Sequence, residues 1–303
     1  MKNEKTALRF FEWLLDGAAR VPLRVIWKMA DILGYFWYRL DGRHRGIALG
    51  NLEIAFGNEL DAVQRETICR GNFEHLARVT LELPYVRRLT SETLDSLIGF
   101  DGMEHYETAL RKGKGLLMIT SHSGNWELMA LAFCMRYHPF HLVVRPLDNP
   151  VANRLVDEMR CKSGNKTIPK KEAPRQLLRL LRKREIIGIL IDQNVDWYHG
   201  VFVPFFRDIA CTSKAIAVLA LKMDAPVIPV FNYRMADGRY CLTFKPEVKL
   251  TRTGDTTRDI EENTALFNKE IEAHVRKYPE QWLWIHRRWK TRPYRAWPRT
   301  NDV

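Results

Sequence analysis

Cysteine is scarce in this sequence and is not paired. Cys69, Cys134, Cys161, Cys211 and Cys241 are scattered, odd in number and without a short repeat spacing. That argues against a disulfide framework and against a zinc site, and favours reduced, buried thiols in a cytosol-facing protein. Acidic residues are also the minority charge: 36 Asp and Glu stand against 48 Lys and Arg, a formal net charge of +12 over 303 residues. A surface of that sign suits nucleic acid, anionic lipid or phosphorylated substrates. No long apolar run is uninterrupted. Residues 21–40 have about the length of a membrane span, but Arg24, Lys28 and Asp31 break them up. Each charge at the bilayer centre costs roughly 3 kcal/mol, so a full crossing is not expected. The first 20 residues carry charges throughout, so no secretory signal is expected either. There is no Gly-x-Ser-x-Gly elbow, no P-loop, no Gly-x-Gly-x-x-Gly turn and no His-Glu-x-x-His helix. Support is thereby lost for a hydrolase with its own serine, for a nucleotide enzyme and for a metalloprotease. No metal and no cofactor is expected.

What is present is aromatic and basic. There are nine Trp, many beside Arg or Lys, a pairing that fits a membrane interface at least as well as DNA. Residues 21–40 read as an amphipathic helix lying in that interface, with Trp27, Tyr35, Phe36, Trp37 and Tyr38 at headgroup depth. The same face would also serve to pack on the rest of the chain. Helical periodicity continues over 43–56 and 61–83, where Pro84 is expected to stop it. Strands and helices alternate from about residue 96: strands over 116–119, 141–144, 186–191, 227–231 and 240–245, helices over 126–137, 150–162, 173–183, 212–223 and 260–278. The expectation is an α/β fold, a mostly parallel central sheet flanked by helices. A helical membrane-associating region, 1–95, would precede a domain over 96–303. No internal repeat is visible.

The sharpest chemistry lies where the apolar run at 116–119 ends in Thr120-Ser121-His122. A turn through Gly124 and Asn125 follows, then a helix with Glu127 in its first turn. His122 is thus placed at the carboxyl end of a strand, where open α/β sheets keep their sites. Gly124 allows a tight turn and Asn125 is a plausible helix cap. The turn would bring the Glu127 carboxylate to the imidazole, fixing its tautomer and leaving the other nitrogen free to take a proton. The spacing also fits a core histidine with a glutamate at the surface nearby. Arg145, after the next strand, would sit beside His122 and grip a phosphate or an oxyanion, or be merely solvated. Asp192 leaves a third strand end. The segment Val201-Phe202-Val203-Pro204-Phe205-Phe206 is too apolar for an ordinary exposed loop and would line an acyl-chain tunnel, dip into membrane or pack under a long connection. Thr212 would cap the helix after it. The helix over 173–184 carries Arg175, Arg179, Arg182, Lys183 and Arg184, a face suited to anionic lipid, an acidic carrier protein or plain solvent. Near the end, Trp282-Leu-Trp-Ile-His-Arg-Arg-Trp-Lys offers Arg287 or Arg288 to a phosphate and its Trp residues to lipid. No nucleic-acid motif appears.

Taken in order, Thr120-Ser-His-Ser-Gly-Asn-Trp-Glu, Arg145-Pro, Asp192-Gln-Asn, Gly200-Val-Phe-Val-Pro-Phe-Phe, Ala225-Pro-Val-Ile-Pro-Val and the Trp282 segment carry a resemblance. Together they resemble the lipid A biosynthesis (late) acyltransferase family, within the lysophospholipid/glycerolipid acyltransferase superfamily, over nearly the whole chain. The resemblance implies a glycerolipid acyltransferase-like fold and a bacterial inner-membrane enzyme, peripheral on the cytoplasmic face. It implies transfer of a fatty acyl group from a thioester, usually on acyl carrier protein with coenzyme A as the other donor, to a hydroxyl of a membrane lipid. By the same carry-over His122 is the base and Glu127 orients it, and Arg145 and Asp192 shape the site. The helix start at Gly124, Asn125 and Trp126 would meet the oxyanion, with Trp126 also beside the acyl slot. Nucleic acid is not an expected partner. One departure stands out: Arg207 follows Phe205-Phe206 where many members of the family carry Gly.

Overall fold

The structure is a computed structural model that describes residues 2–170 and 173–293. Three helices open the chain, α1 (Lys2–Ala18), α2 (Leu23–Leu40) and α3 (Gly42–Phe56). The long α4 (Ala62–Arg88) and short α5 (Ser91–Leu97) follow. Then come β1 (Ile98–Asp101), α6 (Met103–Arg111), β2 (Leu116–Thr120), α7 (Trp126–Arg136), β3 (His141–Val144), α8 (Pro150–Cys161), β4 (Lys166–Pro169), α9 (Ala173–Arg182) and β5 (Ile186–Leu190). A hairpin of β6 (Gly200–Phe205) and β7 (Asp208–Ser213) precedes α10 (Ala215–Met223), β8 (Val227–Arg234), β9 (Tyr240–Phe244) and α11 (Thr256–Lys277).

The main sheet runs β1-β9-β8-β2-β5-β3-β4. Every pairing is parallel except β8 with β9. Helices cover both faces, so β2 is buried at all five positions, which is why it reads as a continuous apolar run. Leu117 and Ile119 point into a core shared with α9, α10 and α11. Leu116 and Met118 point the other way, under α7.

Local rules account for most helix ends. Asp61 and Gln64 form a reciprocal capping box on α4. Asp255 caps α11 through the amides of Thr257 and Arg258. The expected stop at Pro84 does not occur: α4 continues to Arg88 with Pro84 inside it and buried, so packing overrides the local penalty. The 200–213 segment is a hairpin rather than a loop, and Thr212 is not a helix cap. It lies in β7, with its hydroxyl on Asn268 and on Arg288.

The N-terminal helices pack on the sheet domain, α1 against α8 and α4 against α7. Ile26, Ala30, Gly34 and Tyr38 form the inner seam of α2. A Cβ on Gly34 would stand 2.5 Å from Glu74 Cα, so only Gly lets α2 lie this close to α4. Asp31, one of the charges that break the apolar run, bonds Arg78 of α4 at 2.6 Å. Asn51 donates to the carbonyls of Trp284 (2.7 Å) and His286 (2.6 Å), and Asn72 to those of Glu280 (2.9 Å) and Trp282.

Candidate active site

The site is built at the carboxyl edge of the sheet, where β2 ends and the chain turns into α7. Gly124 makes that turn possible. Its φ is +59°, and a Cβ there would fall 2.2 Å from Asn232 Oδ1 and 2.5 Å from the Asn232 carbonyl oxygen. His75, buried on α4, donates from Nε2 to the Gly124 carbonyl at 3.1 Å, and the Gly124 amide is spent on Gln281 O at 3.0 Å. Burial pushes His75 down to about 3, so it is a neutral donor.

His122 is 19% exposed at its side chain, and its ring partner is Asp192, not Glu127. Nδ1 stands 2.8 Å from Asp192 Oδ1, while the His122 backbone N–H donates to Oδ2 at 2.8 Å. Trp282 Nε1 adds a third donor to Oδ2 at 2.8 Å. Burial by itself would raise the Asp192 pKa. The His122 charge, the two bonds from His122 and the indole N–H outweigh it and hold the carboxyl below its ordinary value. A carboxylate at Nδ1 leaves Nε2 free to accept a proton.

Spacing and the family resemblance both assign Glu127 as the partner. Its carboxylate is engaged by Arg160 of α8, Nε to Oε2 at 2.8 Å with a second bond from Nη2. Strand order explains the exchange. β5 pairs directly with β2, Thr120 opposite Leu190, so Asp192 emerges beside His122 although 70 residues separate them. The same order displaces Arg145. β5 lies between β2 and β3, which puts Arg145 two strands, about 10 Å, along the edge. There it is exposed and paired with Asp148 at 3.4 Å.

Other expected contacts are reassigned. Asn125 is fully buried; its Oδ1 accepts from the Leu128 amide, capping α7, and its Nδ2 donates to Glu82. Gly124 has no free amide for an oxyanion, as its N–H is already donated. Arg288 is fully buried, donating to the carbonyl of Cys211 at 2.8 Å and to Thr212, with its guanidinium over the Phe205 ring. Burial lowers it to about 10. It cannot reach out to a phosphate. Arg287 is exposed. Trp282, Trp284 and Trp289 are core residues, not lipid anchors. The part of that basic tail from residue 294 on lies outside the described residues.

An apolar cavity lies under α7, on the face of the sheet opposite the hairpin. Met118, Met129, Ala130, Phe133, Phe140 and Val230 line it, with Glu127 and Arg160 as polar wall and about 50 Å³ open. Trp126 belongs to this wall and sets its ring edge-on to His122, centroids 5.3 Å apart, so it joins cavity to imidazole. The hairpin residues do not. Phe205 is buried against Trp282, Trp289 and Phe206, and Phe206 packs on Phe56 and Trp284. Val201 and Phe202 are half-buried in β6. Sequence reasoning missed Trp282 and Arg160 as site residues. The only available signal for Trp282 was its place in a run too rich in Trp for ordinary surface.

A carboxylate-held histidine thus stands at a strand end of an α/β fold, partly exposed and set against the Trp126 wall of an apolar cavity. Comparison with known proteins supplies its chemistry. Residues 8–291 match the family described as bacterial lipid A biosynthesis acyltransferase, and the chain belongs to that family. It is an O-acyltransferase. It is 28% identical over 283 residues to the lipid A biosynthesis lauroyltransferase of Escherichia coli, covering 93% of this chain and 89% of that one. It is also 28% identical over 255 residues to the lipid A biosynthesis palmitoleoyltransferase of the same organism, covering 83% and 80%. Among solved structures, the 1-acyl-sn-glycerophosphate (LPA) acyltransferase from Thermotoga maritima aligns over 82% of this chain and 98% of that one at 14% identity, with a TM-score of 0.36, too remote to bear on the site.

Proposed function

We propose that this protein transfers a fatty acyl group from a thioester donor to a hydroxyl of a lipid A precursor, with His122 as general base. The observation that carries the reading is the His122 ring held at Nδ1 by Asp192 beside the Trp126-lined cavity. The acceptor hydroxyl gives its proton to Nε2, its oxygen forms the ester bond to the acyl carbon, and the carbon–sulfur bond breaks. The thiol leaves with the proton returned by His122. Developing imidazolium charge is stabilised by Asp192, itself fixed by three donors. The positive end of the α7 dipole faces the oxyanion. The acyl chain enters the cavity under α7. Glu127 with Arg160 forms its polar wall.

The donor in this reading is acyl carrier protein, with coenzyme A as the alternative. The exposed Arg175, Arg179 and Arg182 of α9 suit an acidic carrier. The protein works at the cytoplasmic face of the inner membrane, seated through α1 and α2. Phe10, Trp13, Met29, Ile32, Phe36 and Leu40 are exposed there, and among the described residues no helix is long and apolar enough to cross a membrane. Arg145 is kept as a contact for anionic groups of the substrate.

The test is mass spectrometry of the product from labelled acyl carrier protein, acyl coenzyme A and a lipid A precursor. His122→Ala is expected to lose 10²–10⁴-fold or more of the transfer rate. Wild-type transfer by that variant overturns the mechanism. Free fatty acid without acylated lipid shows water to be the acceptor and overturns the function.

A further inference from the structure

The turn that carries His122 is tied to α2 through one buried carboxylate. Glu82, on α4 and 4% exposed, accepts at both oxygens. Oε1 takes Trp27 Nε1 at 2.8 Å and Arg234 Nη1 at 2.6 Å. Oε2 takes the Tyr240 hydroxyl at 2.7 Å and Asn125 Nδ2 at 3.1 Å. Four donors fill the carboxylate's capacity, so none of them shifts without disturbing the rest. Asn125 is as constrained: its Oδ1 caps α7 at the Leu128 amide and its carbonyl accepts from Asn232 Nδ2 at 2.8 Å. A move of Glu82 is therefore passed to the residue three positions after His122.

The other end of the chain of bonds reaches the outer face of the molecule. Trp27 sits on α2, two residues before Met29 and five before Ile32, both more than half exposed. Its ring edge fills the place of a side chain on Gly238, where a Cβ would meet Trp27 Cη2 at 2.2 Å. The Arg234 guanidinium lies 5.7 Å from its ring centroid. A small cavity of about 20 Å³, bounded by Leu23, Trp27, Tyr85, Asn125 and Leu128, gives the indole room to settle.

We propose that Glu82 is a positioning residue that couples the seating of α2 on a lipid surface to the geometry of the His122 turn, with Trp27 as the lever. This rests on the acyltransferase reading for its kinetic consequence, but not for its structural one. α2 pressed onto a bilayer settles the Trp27–Glu82 bond, and Glu82 holds Asn125 and the start of α7. His122 is then best aligned when the protein sits on the membrane that carries its acceptor.

Trp27→Phe removes one N–H and keeps the ring. In the full chain, backbone hydrogen exchange over residues 121–128 is measured with and without vesicles of phosphatidylethanolamine and phosphatidylglycerol. Vesicles are expected to slow exchange there several-fold in the wild type and not in Trp27→Phe, with both proteins pelleting equally. With acyl donor and acceptor, Trp27→Phe is expected to lose roughly five- to tenfold in kcat at unchanged KM, the scale of one hydrogen bond. The inference is overturned if wild-type exchange ignores vesicles, or if Trp27→Phe responds as the wild type does. It is also overturned if the variant loses thermal stability while keeping kcat, or ceases to pellet. The exchange measurement needs no turnover, so a protein without transferase activity would sink the proposed function and leave this inference to the exchange result.

Discussion

Asp192 is the residue on which the site turns. It is 1% exposed and meets three donors, two of them from His122 itself. Asp192→Asn keeps the shape but turns one oxygen into a donor and removes the charge facing the imidazole. The expected loss is about 10²-fold or more in kcat, measured as initial acyl transfer. A second measurement separates the two carboxylates. The downfield Nδ1 proton resonance of His122 should vanish in Asp192→Asn and persist in Glu127→Gln, because Glu127 bonds Arg160. Loss of that signal in Glu127→Gln alone would restore the pairing expected from spacing. The His122 position was legible, as an apolar run ending in a small polar turn. Its partner was not, because a pairing across 70 residues depends on which strand lies next to β2.

At the scale of elements, the β6–β7 hairpin packs into one core and α7 covers the apolar cavity. The hairpin is greasy because it closes one core. Its strain falls on Phe206, with φ +56°, not on Arg207. Arg207 instead rests over Gly57 and donates to Phe56 O at 3.3 Å. The cavity lies under α7 on the other face. Ala130→Leu, which fills it, is therefore expected to shift the preferred donor toward shorter acyl chains. Each excluded methylene costs about 0.8 kcal/mol, roughly fourfold in kcat/KM. Phe202→Ala should leave the chain-length profile unchanged, and a change would move the acyl site to the hairpin. Periodicity identified the helix and the apolar character of the hairpin. It carried no information on which side of the sheet either would lie.

For the whole molecule, the interlocked N-terminal helices change what a truncation can report. Removing residues 1–40 would strip Ile26, Ala30 and Tyr38 from the core, so the chain should unfold rather than merely leave the membrane. Ile32→Ser with Phe36→Ser, both on the outer face, should instead abolish vesicle pelleting while leaving the melting temperature within a few degrees. Acid sensitivity is the second global property. Burial lowers His75 and His274 to about 3 and His286 to about 4, all from 6.5. Their folded values are depressed, so the unfolded chain binds more protons below pH 6.5. Stability is then full above that pH and lost as pH falls toward 3. Each histidine contributes up to about 1.4 kcal/mol per pH unit in that window. Melting temperature measured from pH 7 to pH 4 should fall steadily, and less steeply in His274→Gln.

The alternation of strands and helices, a histidine at a strand's carboxyl end and an excess of basic residues are all legible in the order of the amino acids. These depend on neighbours in the chain: runs of apolar residues, turn formers and caps. Long-range packing alone selected which carboxylate holds His122, which face of the sheet opens into a cavity, and that Trp282, Trp284 and Trp289 are core. Those outcomes follow from strand order and helix packing, where residues far apart in sequence compete for the same few ångströms of buried space.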